Sequence, residues 1–474
     1  MLKKFYLTTT LPYVNAEPHI GFAQEIVTAD VICRAHRLNN EDVVFNTGTD
    51  EHGQKIYQNA LESGKTPQEY CDEYAASFAE LKTLLNLSYT NFIRTTDPAH
   101  MQAAQTFWLR CWDKGDIYKK LYSIQYCIGC ELEKQASELI DGRCPLHPNR
   151  ELETREEENY FFRFSKYQDD LLALYKTTPE FVRPDSKLSE IVAFVQGGLQ
   201  DFSISRLKVK MPWGVPVPND PDHVMYVWFD ALINYISTLG WPENEENFTR
   251  FWPGTQIAGK DNLRQQAAMW QGMLLSAGLP NSQQILINGF ISVGGQKMSK
   301  SLGNVIAPTE LVQQFGSDAT RYLLMQLGPI GNDMDVTKEK FAITYVADLA
   351  NGFGNLTSRI AKLWSTSEFD QTESATIINL AQSNSSDYFY AGHIREGIEQ
   401  WKQKISILDG YLSETQPWLL APSERQDILR VALTQLIELT VLIRPVLPES
   451  SAIVLEHFTD NALQPLLPLF PRIT

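Results

Sequence analysis

The chain opens with Lys4-Phe5-Tyr6-Leu7-Thr8-Thr9-Thr10, whose apolar and β-branched residues predict a buried strand. An irregular stretch from Leu11 to Pro18 follows, and Ala23, Ile26, Val27 and Val31 then recur at helical spacing, so a helix opens at His19. Val43-Val44-Phe45 predicts a second strand, running into the acidic, Gly-punctuated loop Asn46-Thr47-Gly48-Thr49-Asp50-Glu51-His52-Gly53. Polar groups at the carboxyl end of a strand lie where open α/β sheets take their ligands. Helical pattern fills 67–115. From 117 to about 220 the pattern turns irregular and aromatic-rich, with a strand-like Tyr160-Phe161-Phe162-Arg163-Phe164. That stretch reads as an insertion splitting one α/β domain into halves at 1–116 and 221–325. The second half starts at Val224-Met225-Tyr226-Val227-Trp228-Phe229, continues through Thr255–Asp261 and Gln284–Gly289, and ends at Gln296-Lys297-Met298-Ser299-Lys300-Ser301. Alternating strands and helices favour a parallel sheet. Past 326 strand signals fade, and Ile428, Ala432, Leu436, Leu439 and Ile443 on one face predict a helical bundle within 326–474.

Composition narrows the class. At 474 residues, 43% apolar and 21% charged, the chain is long enough for about three ordinary globular domains. It has no run of about 18 uninterrupted apolar residues, and no apolar stretch follows Met1-Leu2-Lys3-Lys4. The expectation is a cytoplasmic monomer with no membrane partner. A net charge of −16 argues against coating nucleic acid by bulk electrostatics, while leaving room for a local basic strip that holds a structured RNA. The six cysteines, Cys33, Cys71, Cys111, Cys127, Cys130 and Cys144, are too unevenly spaced for a disulfide framework.

Two features carry chemistry. Lys297 and Lys300, flanked by Gly294-Gly295 and Gly303 and by the hydroxyls of Ser299 and Ser301, form a cationic loop that could close over a polyphosphate. The helix opening at His19 offers the free backbone N–H groups that favour an anion. Each alone is weak; together they point to nucleotide chemistry. Cys127-Ile128-Gly129-Cys130 and Cys144-Pro145-Leu146-His147 form two knuckles, each with ligand types three apart. Three thiolates and an imidazole suit a closed, structural, tetrahedral zinc site at Cys127, Cys130, Cys144 and His147.

The order and spacing of these motifs resemble the methionyl-tRNA synthetase family of class I aminoacyl-tRNA synthetases over nearly the whole chain. The resemblance rests on Tyr13–Gly21, Thr47–Gly53, the zinc knuckle, Tyr226–Ala231, Gly259-Lys260-Asp261 and Lys297–Ser301. It implies a split Rossmann-type parallel-sheet catalytic domain (1–116 and 221–325), a zinc-bearing connective insertion (117–220), and a stem-contact and α-helical anticodon-binding domain (326–474). It also implies activation of an amino acid by ATP with Mg2+, through an adenylate, and transfer to a hydroxyl acceptor, with tRNA favoured. His19, Lys297 and Lys300 would act on the phosphates, and Gly21, Phe22, Asn288 and Ser299 would complete the ATP site. Leu11 and Asp50 would hold the α-amino group, Tyr13 and Asp261 lie beside them, and Trp228, Ala231, Tyr235 and Trp270 would wall the side-chain pocket. Alone, each tryptophan would be read as core packing. Asn351, Asn355, Arg359 and Trp418 match positions that recognise the anticodon.

The chain also departs from the family. Phe22, Gln266 and Asn288 stand where the family ordinarily carries histidine, and Asn262, Gln265 and Gln266 replace mostly apolar or aromatic neighbours of the methionine side chain. Phe22 cannot donate a hydrogen bond, and losing one donor to a developing charge costs about 3 kcal/mol. A buried amide left unpaired against a thioether costs about 1–3 kcal/mol, so methionine should fit poorly unless these amides satisfy one another. The expectation is a diverged paralogue with altered amino-acid specificity. Two alternatives stand beside it. One is a tRNA-independent ligase of secondary metabolism that forms aminoacyl esters of small N-hydroxylated amines; the other is a catalytically weak regulatory paralogue.

Overall fold

The computed structural model of the chain describes residues 2–127, 132–134, 139–145, 149, 151–298, 304–326, 333–369, 371–381, 387–460 and 463–472. Its centre is a six-stranded sheet with every neighbouring pair parallel. The order across it is Asn91–Arg94, Asp42–Thr49 (β2), Lys4–Thr9 (β1), Thr255–Gly259, Gln284–Asn288 and Val182–Arg183. The two halves of the chain meet in the middle, where Leu7, Thr8 and Thr9 pair with Thr255, Gln256 and Ile257. Strand order reverses there, and the crevice beyond the carboxyl ends of such strands is the ligand position of an open α/β sheet.

Both faces of the sheet are covered, as a parallel sheet requires. On one face Leu7, Phe45 and Ile257 join a core with Ala23, Ile26, Val27 and Val31 of helix α1 (Ile20–Leu38), and this core continues into the C-terminal helices. On the other, Tyr6, Ala258 and Ile285 pack with Trp108, Phe229 and Trp270. The helix Gln426–Ile443 buries Ala432, Leu436, Leu439 and Ile443 on the expected face. Buried Arg321 ties the bundle to α1: its guanidinium meets Asp30 at 2.8 Å and the carbonyl of Pro445 at 2.8 Å. No helix among the described residues is long and apolar enough to cross a membrane.

Some elements differ from the pattern reading. The stretch 67–115 holds two helices, Pro67–Leu84 and Pro98–Asp113, with the edge strand Asn91–Arg94 between them, too short to show a period. Val182–Arg183, within 117–220, adds the opposite edge strand, beside Gln284–Asn288. The apolar run at Val224 does not enter the sheet. His223–Met225 pairs antiparallel with Ser205–Leu207, and the chain then turns into a short helix, Val227–Ala231. Past 326, Met334–Val336 is still a strand, parallel to Ile291–Val293. Within the 117–220 stretch, Ile117–Cys127 and Glu153–Phe162 form a long antiparallel ribbon.

Candidate active site

Beyond the carboxyl ends of β1 and Thr255–Gly259 lies a cleft of about 1070 Å³. Leu11, Tyr13, His19, Gly21 and Phe22 line it from the chain after β1, and Asp50 from the end of β2. Trp228, Ala231, Tyr235, Asp261, Asn262 and Gln266 form a second wall, and Asn288 stands at the end of its strand, level with Gly259.

His19 caps α1. Its Nδ1 accepts the Gly21 N–H at 3.0 Å, so the ring proton resides on Nε2, and burial lowers the imidazole's pKa. The ring is therefore a neutral donor at the positive end of a helix, suited to a phosphate oxygen. Residue 21 has to be glycine for this, since a Cβ there would sit 2.8 Å from the His19 ring. The same Cβ position lies 3.5 Å from Cε of Met298, which also lines the cleft, so the lysine-bearing segment does reach the tip of α1. Gln296–Lys297 pairs with Ser292–Val293; Ser299 and Lys300 lie outside the described residues. Phe22 packs edge-on against Phe78, ring centroids 5.3 Å apart, so this position now serves the apolar core under the cleft rather than its polar surface.

Asp50 is 8% exposed, and its Oδ1 has no partner among the described residues. Burial, then the neighbouring Asp230, hold its carboxyl well above the ordinary range. A cation placed there would reverse that penalty, so the geometry fits an ammonium group. The loop carrying Asp50 is pinned from below. Asp230 accepts from His52 Nδ1 at 2.6 Å and from His100 Nε2 at 2.8 Å. Against the opposing effect of burial, the two imidazoles bring Asp230 down to about 2.

The amides divide sharply. Gln266 is fully buried and paired at both ends: Oε1 accepts from Gln256 at 2.9 Å, and Nε2 donates to the Tyr235 hydroxyl at 2.5 Å. The expected penalty of an unpaired amide is therefore absent at Gln266. Asn288 is almost as buried, yet both of its amide atoms lack partners among the described residues. Trp270 stands behind the wall, wholly buried and 5.9 Å from the Tyr235 ring. Gln265 also lies outside the lining, its Oε1 buried and unpaired.

Among the lining residues that the sequence reading did not name, Glu25 stands out. Glu25, on the buried face of α1, accepts from the backbone N–H of Thr10 at 3.0 Å and its hydroxyl at 2.6 Å. Burial pushes it up to about 8. An acid within an otherwise apolar helical face was the available signal.

Of the zinc knuckle, Cys130 and His147 lie outside the described residues, as does the side chain of Cys127, which ends its strand. Cys144 is fully buried, although Asp141, Gly142 and Arg143 just before it are exposed. A thiol turned inward on a surface hairpin fits a ligand position. In the C-terminal part, Asn351 and Asn355 are exposed, and the Arg359 guanidinium lies 5.3 Å from the Trp418 ring while meeting Asp409 at 2.5 Å. Residues 345–354 form a π-helical segment with a non-helical Gly352, so Asn351 and Asn355 are not spaced along one regular α-helix.

The family described as tRNA synthetases class I (M) matches residues 5–151 and 130–361. The methionine–tRNA ligase of Nostoc sp. is 41% identical over 472 residues, covering 95% of this chain and 89% of the relative. That of Thermosynechococcus vestitus is 48% identical over 369 residues, 77% of this chain and 69% of the relative. A solved structure of Mycobacterium tuberculosis methionyl-tRNA synthetase bound by methionyl-adenylate superposes with a TM-score of 0.86 at 34% identity, covering 99% of this chain and 100% of that one.

Proposed function

The chain belongs to the methionyl-tRNA synthetase family of class I aminoacyl-tRNA synthetases, and from that premise we propose that it uses ATP to form an aminoacyl adenylate and passes the acyl group to a tRNA hydroxyl, with an amino-acid preference moved away from methionine. The observation that carries this reading is a single cleft lined both by a buried carboxyl, Asp50, whose Oδ1 has no partner among the described residues, and by a neutral imidazole donor, His19, at a helix start.

In this reading the substrate ammonium binds Asp50, and the rise in that carboxyl's pKa caused by burial is cancelled by the ion pair. The substrate carboxylate then attacks the α-phosphate of ATP, and the bond to pyrophosphate breaks. Negative charge grows on the phosphates, where Nε2–H of His19 and the lysines at 297 and 300 stabilise it. Gly21, Ser299 and Asn288 complete the nucleotide side, with Mg2+ travelling with ATP. Asn288 supplies one unpaired donor and one unpaired acceptor to whatever part of the nucleotide lies against it. Tyr13, Leu11 and Asp261 flank the amino-acid site. Phe22 withholds a donor from this centre, which makes adenylate formation slower than a histidine there would allow.

The catalytic halves are 1–116 and 221–325, Cys127, Cys130, Cys144 and His147 would hold a zinc that would stiffen the 117–220 insertion, and residues 326–474 bind tRNA through Asn351, Asn355, Arg359 and Trp418. Zinc there is structural and enters no chemical step. The shift from methionine is supported by Asn262, which makes part of the side-chain wall polar. Amino-acid-dependent exchange of pyrophosphate into ATP, run across the common amino acids, tests the first half of the reaction. Charging of tRNA tests the second. Exchange without charging would remove tRNA as the acceptor, and no exchange with any amino acid would remove the ligase reading.

A further inference from the structure

Asp230 has no access to solvent, yet an imidazole from elsewhere in the chain occupies each of its carboxylate oxygens. Oδ2 lies 2.6 Å from Nδ1 of His52, and Oδ1 lies 2.8 Å from Nε2 of His100. A carboxylate can only accept, so both ring nitrogens donate. The other nitrogen of His100 meets the Ser237 hydroxyl at 2.9 Å. His52, His100 and Ser237 are buried as well, and none of the four residues lines the cleft. Three of them are carried by elements that do. His52 follows Asp50 in the loop after β2, Asp230 lies between Trp228 and Ala231 on the helix Val227–Ala231, and Ser237 follows Tyr235 on the helix Asn234–Ser237. His100, from the helix Pro98–Asp113, bridges the last two.

The backbone of Asp50 is held separately. Its N–H donates to the carbonyl of Pro12 at 2.9 Å and its carbonyl accepts from Val14 at 3.1 Å, which sets the loop against the segment carrying Leu11 and Tyr13. Glu51 is tied outward, to Arg94 at 2.6 Å. His52 ties the loop to the helices of the side-chain wall. Resting on the ligase reading above, we propose that Asp230, held by His52 and His100, is a positioning residue that sets the span between the carboxylate taking the α-amino group and the wall taking the side chain. It thereby fits the site to the amino acid and leaves the fit to ATP untouched. The residue type follows from this task. Two donors arriving from different elements need two acceptor oxygens on one group, and a buried carboxylate is tolerated when both of its oxygens are paired. An Asp50 displaced by about 1 Å from Trp228 and Ala231 no longer meets the ammonium of a substrate whose side chain is seated, and a misplacement of that size can cost about 100-fold.

The test is pyrophosphate exchange by the full chain with ATP and each of the common amino acids, the best of them serving as the probe. His52→Ala removes one of the two donors to Asp230. The KM for the probe amino acid should rise by about 10- to 100-fold, while the KM for ATP stays near that of the parent. In His52→Asn the side-chain Nδ2 stands where the imidazole Nδ1 stood, so the donor is restored and most of the loss should be recovered. Because His52 acts through Asp50, adding His52→Ala to Asp50→Asn should cost little beyond Asp50→Asn alone, whereas a merely structural contribution would add in full. A thermal midpoint confirms that each variant is folded. If His52→Ala is not, Ser237→Ala, which loosens only the far end of the line, should show the same split between the two KM values at smaller size. KM values that rise together, no change in the folded variants, His52→Asn no better than His52→Ala, or full additivity with Asp50→Asn overturns this proposal and leaves the ligase reading standing. Exchange with no amino acid overturns both.

Discussion

Gln266 and Asn288 both line one cleft, each an amide about as buried as a side chain can be, and they have opposite fates. Gln266 is paired at both ends within the protein, whereas Asn288 is paired at neither among the described residues. An unpaired buried amide costs about 1–3 kcal/mol, so Asn288, with no partner among the described residues, is open to a partner from outside. Gln266 is thus satisfied before substrate arrives, whereas Asn288 is left for a group from outside. Asp50 belongs with Asn288 in this division; Glu25, satisfied by Thr10, belongs with Gln266. Removing a group that waits for a ligand should cost activity and spare stability. Removing a self-satisfied group should cost stability first.

The largest effect is expected at Asp50. In Asp50→Asn the substrate ammonium loses its buried counter-charge, worth about 3 kcal/mol, so kcat/KM for the amino acid should fall by roughly 100-fold. The melting temperature of the substrate-free protein should not fall, because burial already disfavours the charged carboxyl and its Oδ1 has no partner among the described residues. A clear drop would place Asp50 with the self-satisfied groups and break the comparison. Gln266→Leu should do the reverse. It strands Nε2 of Gln256, and denaturant unfolding should show a loss of about 2 kcal/mol.

Glu25 gives a pH signature. Its carboxyl titrates near 8 in the folded protein, raised from 4.5 by burial. Between those values the unfolded chain loses the proton and the folded one keeps it. Its contribution to stability is therefore full below about 4.5 and is lost as pH rises to about 8, at up to about 1.4 kcal/mol per pH unit for this one group. Glu25→Gln should flatten that part of the stability profile and melt higher than the parent at pH 8. An identical slope in the variant would assign the dependence to another group.

This division was only half legible in the sequence. β1 and α1 follow from a long apolar run and a regular recurrence of Ala23, Ile26, Val27 and Val31, and both motifs framing the cleft fell at predicted element ends. Val182–Arg183 was not legible because two residues carry no period, and Val224–Phe229 misleads because a short apolar run reads alike as strand or helix. The pairing of Gln266 was hidden for a different reason. Its partner Gln256 lies on a sheet strand and its other partner, Tyr235, on a separate short helix, so only the tertiary fold brings the three together. From sequence, Gln266 and Asn288 look alike, as amides where the family carries histidine.

The smallest effect, and the sharpest separation of the two, is expected at Asn288. Leucine has nearly the shape of asparagine and no polar atoms, so Asn288→Leu removes a donor and an acceptor that no described residue uses. Deleting such a group removes its desolvation penalty, and the unliganded variant should be more stable by about 1 kcal/mol. The nucleotide then loses its partner. In pyrophosphate exchange the KM for ATP should rise by about 10-fold, while the KM for the amino acid, bound at Asp50, should stay near that of the parent. Differential scanning fluorimetry with and without ATP reads both halves at once: a higher melting temperature alone, and a smaller upward shift when ATP is added. If Asn288→Leu instead melts lower without ligand and binds ATP as before, Asn288 is a structural amide like Gln266, satisfied before substrate arrives.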